Sequence, residues 1–250
     1  MFDKAPELYD LFYEWKDYRA EADTIRELVR VRRPEAASLL DVACGTGAHL
    51  VPLQDWFDVV GLDIDPGLLS VAKEKLPEVP LHLADMRDFD LGRQFDVVTC
   101  LFSSIGYMQT LAELRQAIAT MARHLSPGGV LIVEPWFSPD TFDPNHLGRT
   151  IVVSRPNLES VRMNGSRVER RRSILDLHYL VATPGQVEHL TETHVLGLFT
   201  DDEYRQAFEL AGLEADHDPE GLMGRGLWVG QPVSAQEAVA PQGHPTNIDR

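Results

Sequence analysis

The apolar positions of the chain change period repeatedly, and those changes mark its elements. Residues 8–31 carry apolar side chains near helical spacing, with Pro34 beyond them, and read as mostly helical. The dense run Ser38-Leu39-Leu40-Asp41-Val42-Ala43 predicts a buried strand. Cys44-Gly45-Thr46-Gly47 then turns the chain into a short helix over 48–56. A second strand follows at 58–63, and a helix at 66–76 has Pro66 near its first turn. Strands are predicted at 79–83 and 95–101. A helix at 111–125 is stopped by Pro127-Gly128-Gly129, and a fifth strand covers 130–134.

Strand and helix patterns alternating over 38–134 imply an α/β fold, a mostly parallel sheet with helices on both faces. After Pro135 the pattern changes. Runs such as Ile151-Val152-Val153 and residues 173–181 are β-rich, with little helical periodicity. They suggest an antiparallel β insertion after the fifth strand, covering the C-terminal edge of the sheet. A last helix at 201–211 opens on Thr200 as N-cap, and a final strand lies at 226–230. The expected organisation is a main domain at 1–135 and 200–231, an inserted subdomain at 136–199 over the substrate pocket, and a disordered tail at 232–250.

Charge and composition narrow the class. The 250 residues suit one large domain with an insertion. A net charge of −16 argues against a protein that coats nucleic acid. Between Arg149 and Arg172, however, seven arginines face only Glu159 and Glu169. This stretch reads either as a solvated strand face or as a site for an anionic ligand, since Arg pairs bidentately with phosphate and carboxylate. No run approaches the ~18 apolar residues of a membrane span, and the start lacks the basic-then-apolar pattern of a secretory signal. Two cysteines, Cys44 and Cys100, make neither a disulfide scaffold nor a cysteine zinc site. A reducing cytoplasm and no metal are expected.

The loop Asp41-Val42-Ala43-Cys44-Gly45-Thr46-Gly47 follows a buried strand and precedes a helix, where open α/β sheets bind ligands. Leu50 stands where the dinucleotide fingerprint needs its third glycine, so the loop suits a nucleoside ligand without phosphates. Asp63 ends the second strand 18 residues after Gly45, placed to accept both ribose hydroxyls. Asp85 and Met86 follow the third strand, where a carboxylate or amide can hold an adenine amine and Met86 can pack on the ring. Each acid alone reads as a solvated loop residue. In order, at successive strand ends, they point to an adenosyl cofactor.

These blocks resemble the class I S-adenosylmethionine-dependent methyltransferases, which have a Rossmann-like fold. Further blocks run along most of residues 8–231: Tyr9-Asp10-Leu11-Phe12-Tyr13, Lys16-Asp17-Tyr18, Met86-Arg87-Asp88-Phe89, Phe102-Ser103-Ser104-Ile105-Gly106-Tyr107, Glu134-Pro135-Trp136 and Gly224-Arg225-Gly226-Leu227. Together they resemble the N,N-dimethyltransferases that act on TDP-activated 3-amino sugars in macrolide pathways. The resemblance implies S-adenosylmethionine as cofactor, held by Tyr9, Tyr18, Ala43, Gly45, Gly47, Asp63, Ile64, Asp85, Met86 and Leu101. It implies Tyr107 beside the acceptor amine, Trp136 and Phe137 in the sugar-nucleotide pocket, and Arg225 on the pyrophosphate. Met1 stands where the family carries a tyrosine, and Phe137-Ser138 where it carries Trp and Phe, so the departures fall on the acceptor side. A neutral amine attacks the activated methyl in line and needs chiefly orientation. Another small amine, a phenol or a carboxylate remains an alternative acceptor. A non-enzymatic binding module and a dinucleotide-dependent oxidoreductase are further alternatives, and a homodimer is compatible with the resemblance.

Overall fold

A computed structural model describes residues 6–145 and 148–233. The leading helical stretch is two helices, α1 (Pro6–Tyr13) and α2 (Tyr18–Arg32). Asp17 starts the second: its carboxylate accepts a hydrogen bond from the Ala20 amide at 2.9 Å. There follow β1 (Ser38–Val42), α3 (Leu50–Leu53), β2 (Asp58–Asp63), α4 (Pro66–Lys75), β3 (Leu81–Leu83) and β4 (Phe95–Cys100). A 3₁₀ turn (Ser104–Tyr107) leads to α5 (Leu111–Arg123) and β5 (Leu125–Val133). The inserted strands are β6 (Ile151–Arg155), β7 (Leu158–Glu169), β8 (Arg172–Thr183) and β9 (Gln186–Gly197). The chain returns through α6 (Asp201–Leu210), β10 (Leu213–Asp218) and β11 (Leu227–Pro232).

Seven strands form the main sheet in the order β10-β11-β5-β4-β1-β2-β3. β1 to β5 run parallel, and β11 is antiparallel to both β5 and β10. Alternation along β1 shows why helices flank both faces. Leu39 packs in one cluster with Ala22, Ile25 and Val29 of α2 and Leu50 and Leu53 of α3. Leu40 and Val42 pack in another with Leu114, Ala117 and Ile118 of α5 and Phe208 of α6. The remaining strands form a separate antiparallel sheet, β6-β7-β8-β9. Helix α1 joins the two: Phe12 is buried with Ile151, Val153, Leu177 and Tyr179 of the second sheet.

Three expectations change. Pro127-Gly128-Gly129 does not delay the fifth strand. Phe95 pairs with Leu125 and Val97 with Val130, so residues 126–129 bulge out of a strand that has already begun. β10 is unanticipated, because Glu214, Asp216 and Asp218 alternate along an edge strand with little apolar signal. Pro232, expected to open a disordered tail, ends β11; the rest of that expected tail from 234 onward, and Met1, lie outside the described residues. Cys44 and Cys100 are buried and free. Among the described residues, no helix is long and apolar enough to cross a membrane.

Candidate active site

The carboxyl ends of β1 to β5 open into one cavity of about 790 Å³, which residues of β7, β8 and β9 also line. At its β1–β3 end the wall includes Tyr9, Ala43, Gly45, Asp63, Ile64, Asp85 and Met86. Gly45 has φ +56°, and a Cβ placed there would point into open space, so its backbone is open to a ligand. Asp63 is buried at the tip of β2. Its Oδ2 accepts from the Gly45 amide at 2.8 Å and its Oδ1 from the Asp65 amide at 2.9 Å. Burial still pushes its pKa up, so the two backbone donors do not fully replace water. A vicinal diol would supply the missing donors. Ile64 is 53% exposed yet lines the cavity beside Leu68 and Met86, an apolar wall for a planar base. These features fit the adenosyl part of S-adenosylmethionine. Asp85 is committed elsewhere: Arg87 grips both its oxygens, Nε at 3.0 Å from each, and holds its carboxyl below the usual range. The same guanidinium reaches Glu113 at 2.8 Å.

Three residues expected at the cofactor are not in the cavity wall. The Tyr18 ring packs edge-on against His49, 4.8 Å between centroids, at the start of α3. Gly47 has φ +73°, and a Cβ there would meet Leu76 Cδ1 at 2.8 Å, so it serves the turn and its packing. Leu101 is buried in the core shared with β1 and α2.

Strand order places the loop after β4 between the cofactor end and the insertion. Tyr107, half-buried in that loop, shares a 2.7 Å hydrogen bond with Nδ1 of His194 from β9. Burial, and then the nearby Tyr13, push its pKa well up, which keeps the phenol protonated. Trp136 is held by its indole N–H donating to Ser173 Oγ at 2.8 Å, and Phe137 packs against it at 4.8 Å. Gly106 lets Trp136 approach: a Cβ there would lie 2.8 Å from Trp136 Cβ. Arg225 lines the cavity but is already engaged, Nη2 to buried Glu134 at 3.1 Å, with the Phe102 and Trp136 rings 5.5 Å away.

The arginine-rich stretch is divided by its partners. Arg155 pairs with Glu14, Arg167 with Asp176 and Glu169, and Arg171 with Glu203. Only Arg149 and Arg162 of the seven line the cavity, stacked on Trp15 and Tyr13. A single anion site built from the whole run is therefore excluded by geometry.

Several participants carry no local sequence signal. His194 is one. Another is the buried set behind the glycine loop, where Lys16 pairs with Glu21, and Glu21 Oε2 meets His49 Nε2 at 2.8 Å. Asp41 is buried beneath the same loop, accepting from Thr99 Oγ1 at 2.7 Å, and burial pushes it from 3.8 up to about 6. An acid with a raised folded-state pKa binds its proton more tightly when folded. Stability therefore falls as pH rises from about 4 to about 6, by roughly 2–3 kcal/mol. Asp41→Asn keeps an acceptor for Thr99 and removes the charge. The variant is expected to melt higher than the parent at about pH 7 but not at about pH 4, as scanning calorimetry would show. Among the described residues, no group of three His, Cys, Asp or Glu side chains is placed to hold a metal.

Comparison with known proteins identifies the family. The methyltransferase-domain family profile matches residues 39–129, the segment of the glycine loop and both strand-end aspartates. The chain is 46% identical over 231 residues to the dTDP-3-amino-3,4,6-trideoxy-alpha-D-glucopyranose N,N-dimethyltransferase of Streptomyces venezuelae, covering 91% of this chain and 97% of that one. It is 44% identical to the dTDP-4-amino-2,3,4,6-tetradeoxy-D-glucose N,N-dimethyltransferase of Saccharopolyspora spinosa, with 90% and 91% covered. It also superposes with a TM-score of 0.83 on SAM-bound CalS10, an amino pentose methyltransferase from Micromonospora echinaspora, at 39% identity over 90% of this chain and 97% of that one. A cradle for an adenosyl group and this similarity along nearly the whole length lead to one conclusion: the chain belongs to the Rossmann-like, S-adenosylmethionine-dependent sugar N-methyltransferases.

Proposed function

We propose that the protein N-methylates the amine of a TDP-activated amino sugar in antibiotic biosynthesis. The observation that carries this reading is the single cavity joining Asp63 and Gly45 at one end to Arg149, Arg162 and Arg225 at the other, with Tyr107 on the loop between. S-adenosylmethionine supplies an activated methyl to an amine nitrogen and leaves as its neutral thioether. In this reading Tyr9, Gly45, Asp63, Ile64 and Met86 hold it, and residues 136–199 form the acceptor subdomain. Tyr107 orients the amine through its hydroxyl, Trp136 and Phe137 bound the sugar, and the arginines face the diphosphate. A chain of net charge −16 takes an anionic acceptor through such local cations, because distant charges are screened beyond about 8–10 Å in physiological salt. The same reading places the enzyme in the cytoplasm, acting on a small molecule rather than nucleic acid; sedimentation would decide whether it works as a homodimer.

Transfer of labelled methyl groups to a TDP-3-amino sugar tests the reading. No transfer to any nucleotide amino sugar, with turnover of a free amine, phenol or carboxylate, would overturn it. In the same assay Arg162→Ala is expected to raise the acceptor KM about tenfold, the loss of one charge-assisted hydrogen bond, and Arg149→Ala somewhat less. Calorimetric affinity for S-adenosylhomocysteine should stay within a factor of two in both variants. A matching loss of cofactor affinity would show that these arginines do not serve the acceptor.

A further inference from the structure

An amine flanked by oxygen-bearing carbons titrates in the range of an α-amino group, near 8, so it arrives mostly protonated at neutral pH. An ammonium has no lone pair to attack with, and each N-methylation leaves an ammonium that must lose a proton before the next. The phenol of Tyr107 is held protonated by burial, so it is not itself a resting base. The residue behind it supplies what is missing. His194 lines the same cavity, and its Nδ1 is 2.7 Å from the Tyr107 hydroxyl. On its other side Nε2 faces the Glu192 carboxylate at 3.6 Å, and Glu192 accepts from the Tyr179 hydroxyl at 3.2 Å. Glu192 favours the tautomer with the proton on Nε2, which leaves Nδ1 to accept from Tyr107.

We propose that His194, backed by Glu192 and acting through the Tyr107 hydroxyl, receives the proton that frees the acceptor amine before each methyl transfer. The proposal deepens the amino-sugar reading and rests on it. In the step an ammonium N–H bond breaks and its proton goes to Tyr107 Oη. The hydroxyl's own proton passes to His194 Nδ1, and the electron pair stays on the nitrogen. The product is a free amine, an unchanged tyrosine and an imidazolium facing a carboxylate. Among the described residues, the groups that face the relay include Tyr107 from the β4 loop, Tyr9 and Tyr13 from α1, Asp63 at the end of β2, Arg162 from β7, Tyr179 from β8 and Glu192 from β9 itself. Glu192 also lines a second, small cavity with Tyr9, Tyr13, Arg162 and Tyr179. His194 is a positioning residue for Tyr107 and the proton's destination; pure orientation by Tyr107 needs neither His194 nor Glu192.

The test is the pH profile of kcat with S-adenosylmethionine and a TDP-3-amino sugar both saturating. His194→Gln is expected to lower kcat about 100-fold near pH 7 and to recover to within about threefold near pH 9.5, where solution supplies the free amine. Both KM values and the affinity for S-adenosylhomocysteine should stay within threefold. Glu192→Gln should shift the profile in the same sense by about tenfold near neutral pH, and it carries the test alone should the histidine variant not fold. Tyr107→Phe combined with His194→Gln should be no worse than the poorer single variant. A wild-type profile in both His194→Gln and Glu192→Gln, or a loss equal at every pH, would overturn the relay while leaving the acceptor assignment intact. No turnover of any nucleotide amino sugar by the unaltered enzyme would remove the acceptor assignment, and the relay with it.

Discussion

Asp63→Ala is expected to weaken binding of S-adenosylhomocysteine about a hundredfold. Two charge-assisted hydrogen bonds from a ribose diol are worth roughly 3 kcal/mol together, and 1.4 kcal/mol is a factor of ten. Part of the loss is indirect. Asp63 also ties the Gly45 and Asp65 amides at 2.8 and 2.9 Å, so the glycine loop loses the group that fixes its height above β2. Asp63→Asn separates charge from size. An amide can turn its oxygen to only one of the two backbone donors and would set its own N–H against the other. It should therefore bind almost as poorly as the alanine variant. The unaltered protein adds a pH signature. Burial raises the Asp63 pKa, and hydroxyl donors favour the ionised form, so bound ligand pulls that pKa back down. Affinity is full while Asp63 is ionised and is lost as pH falls through the raised pKa. Calorimetry over acid and neutral pH reads both effects. An affinity flat with pH, and an alanine variant within threefold of the parent, would remove Asp63 from the cofactor site.

What the sequence disclosed about this site was whatever the chain builds from neighbours. Asp41 to Gly47 and Asp63 are legible because each sits at the end of a short apolar strand, and strand ends in an alternating α/β pattern must converge. The insertion is legible as a change of period, but its pairing is not. Thus Arg155 and Arg171 look like candidates for an anion until the fold brings Glu14, 141 residues away, and Glu203, 32 residues away, against them. His194 sits 87 residues from Tyr107 at the end of a nearly continuous polar run in β9, and only register puts its ring in the cavity. The break between α1 and α2 had a local cue, Asp17 as a capping acid. Helical spacing on both sides of it concealed the interruption. β10 stays invisible because an edge strand with one wet face needs few apolar side chains.

Glu134→Ala is expected to cost about 3–5 kcal/mol of stability, the penalty for removing one partner of a buried ion pair. Glu134 is fully buried at the end of β5, and its two oxygens do different work. Oε1 accepts from Arg225 at 3.1 Å, and Oε2 accepts from the Phe102 amide at 2.7 Å. That amide belongs to an unusual backbone: Phe102 and Ser103 have φ of 52° and 59°, both left-handed without being glycine. Each such residue costs roughly 1–2 kcal/mol, which the carboxylate and the Ser103 hydroxyl, donating to the Pro135 carbonyl at 2.6 Å, help offset. Without Glu134 the strain loses its anchor, and a guanidinium with only 13% of its side chain exposed stays between two aromatic rings without its counter-ion. For a chain of this length the melting temperature should fall by about 10 °C. Glu134→Gln has one oxygen for the two donors and no charge for Arg225, so its stability should fall between that of the parent and that of the alanine variant. Glu134→Ala combined with Arg225→Met should recover much of the stability, since no lone charge stays buried, yet the acceptor KM should be high if the cation proposed to face the diphosphate is gone. A melting point within about 2 °C of the parent for Glu134→Ala, or a double variant less stable than either single one, would show that the pair neither anchors the β4 loop nor holds Arg225 in place.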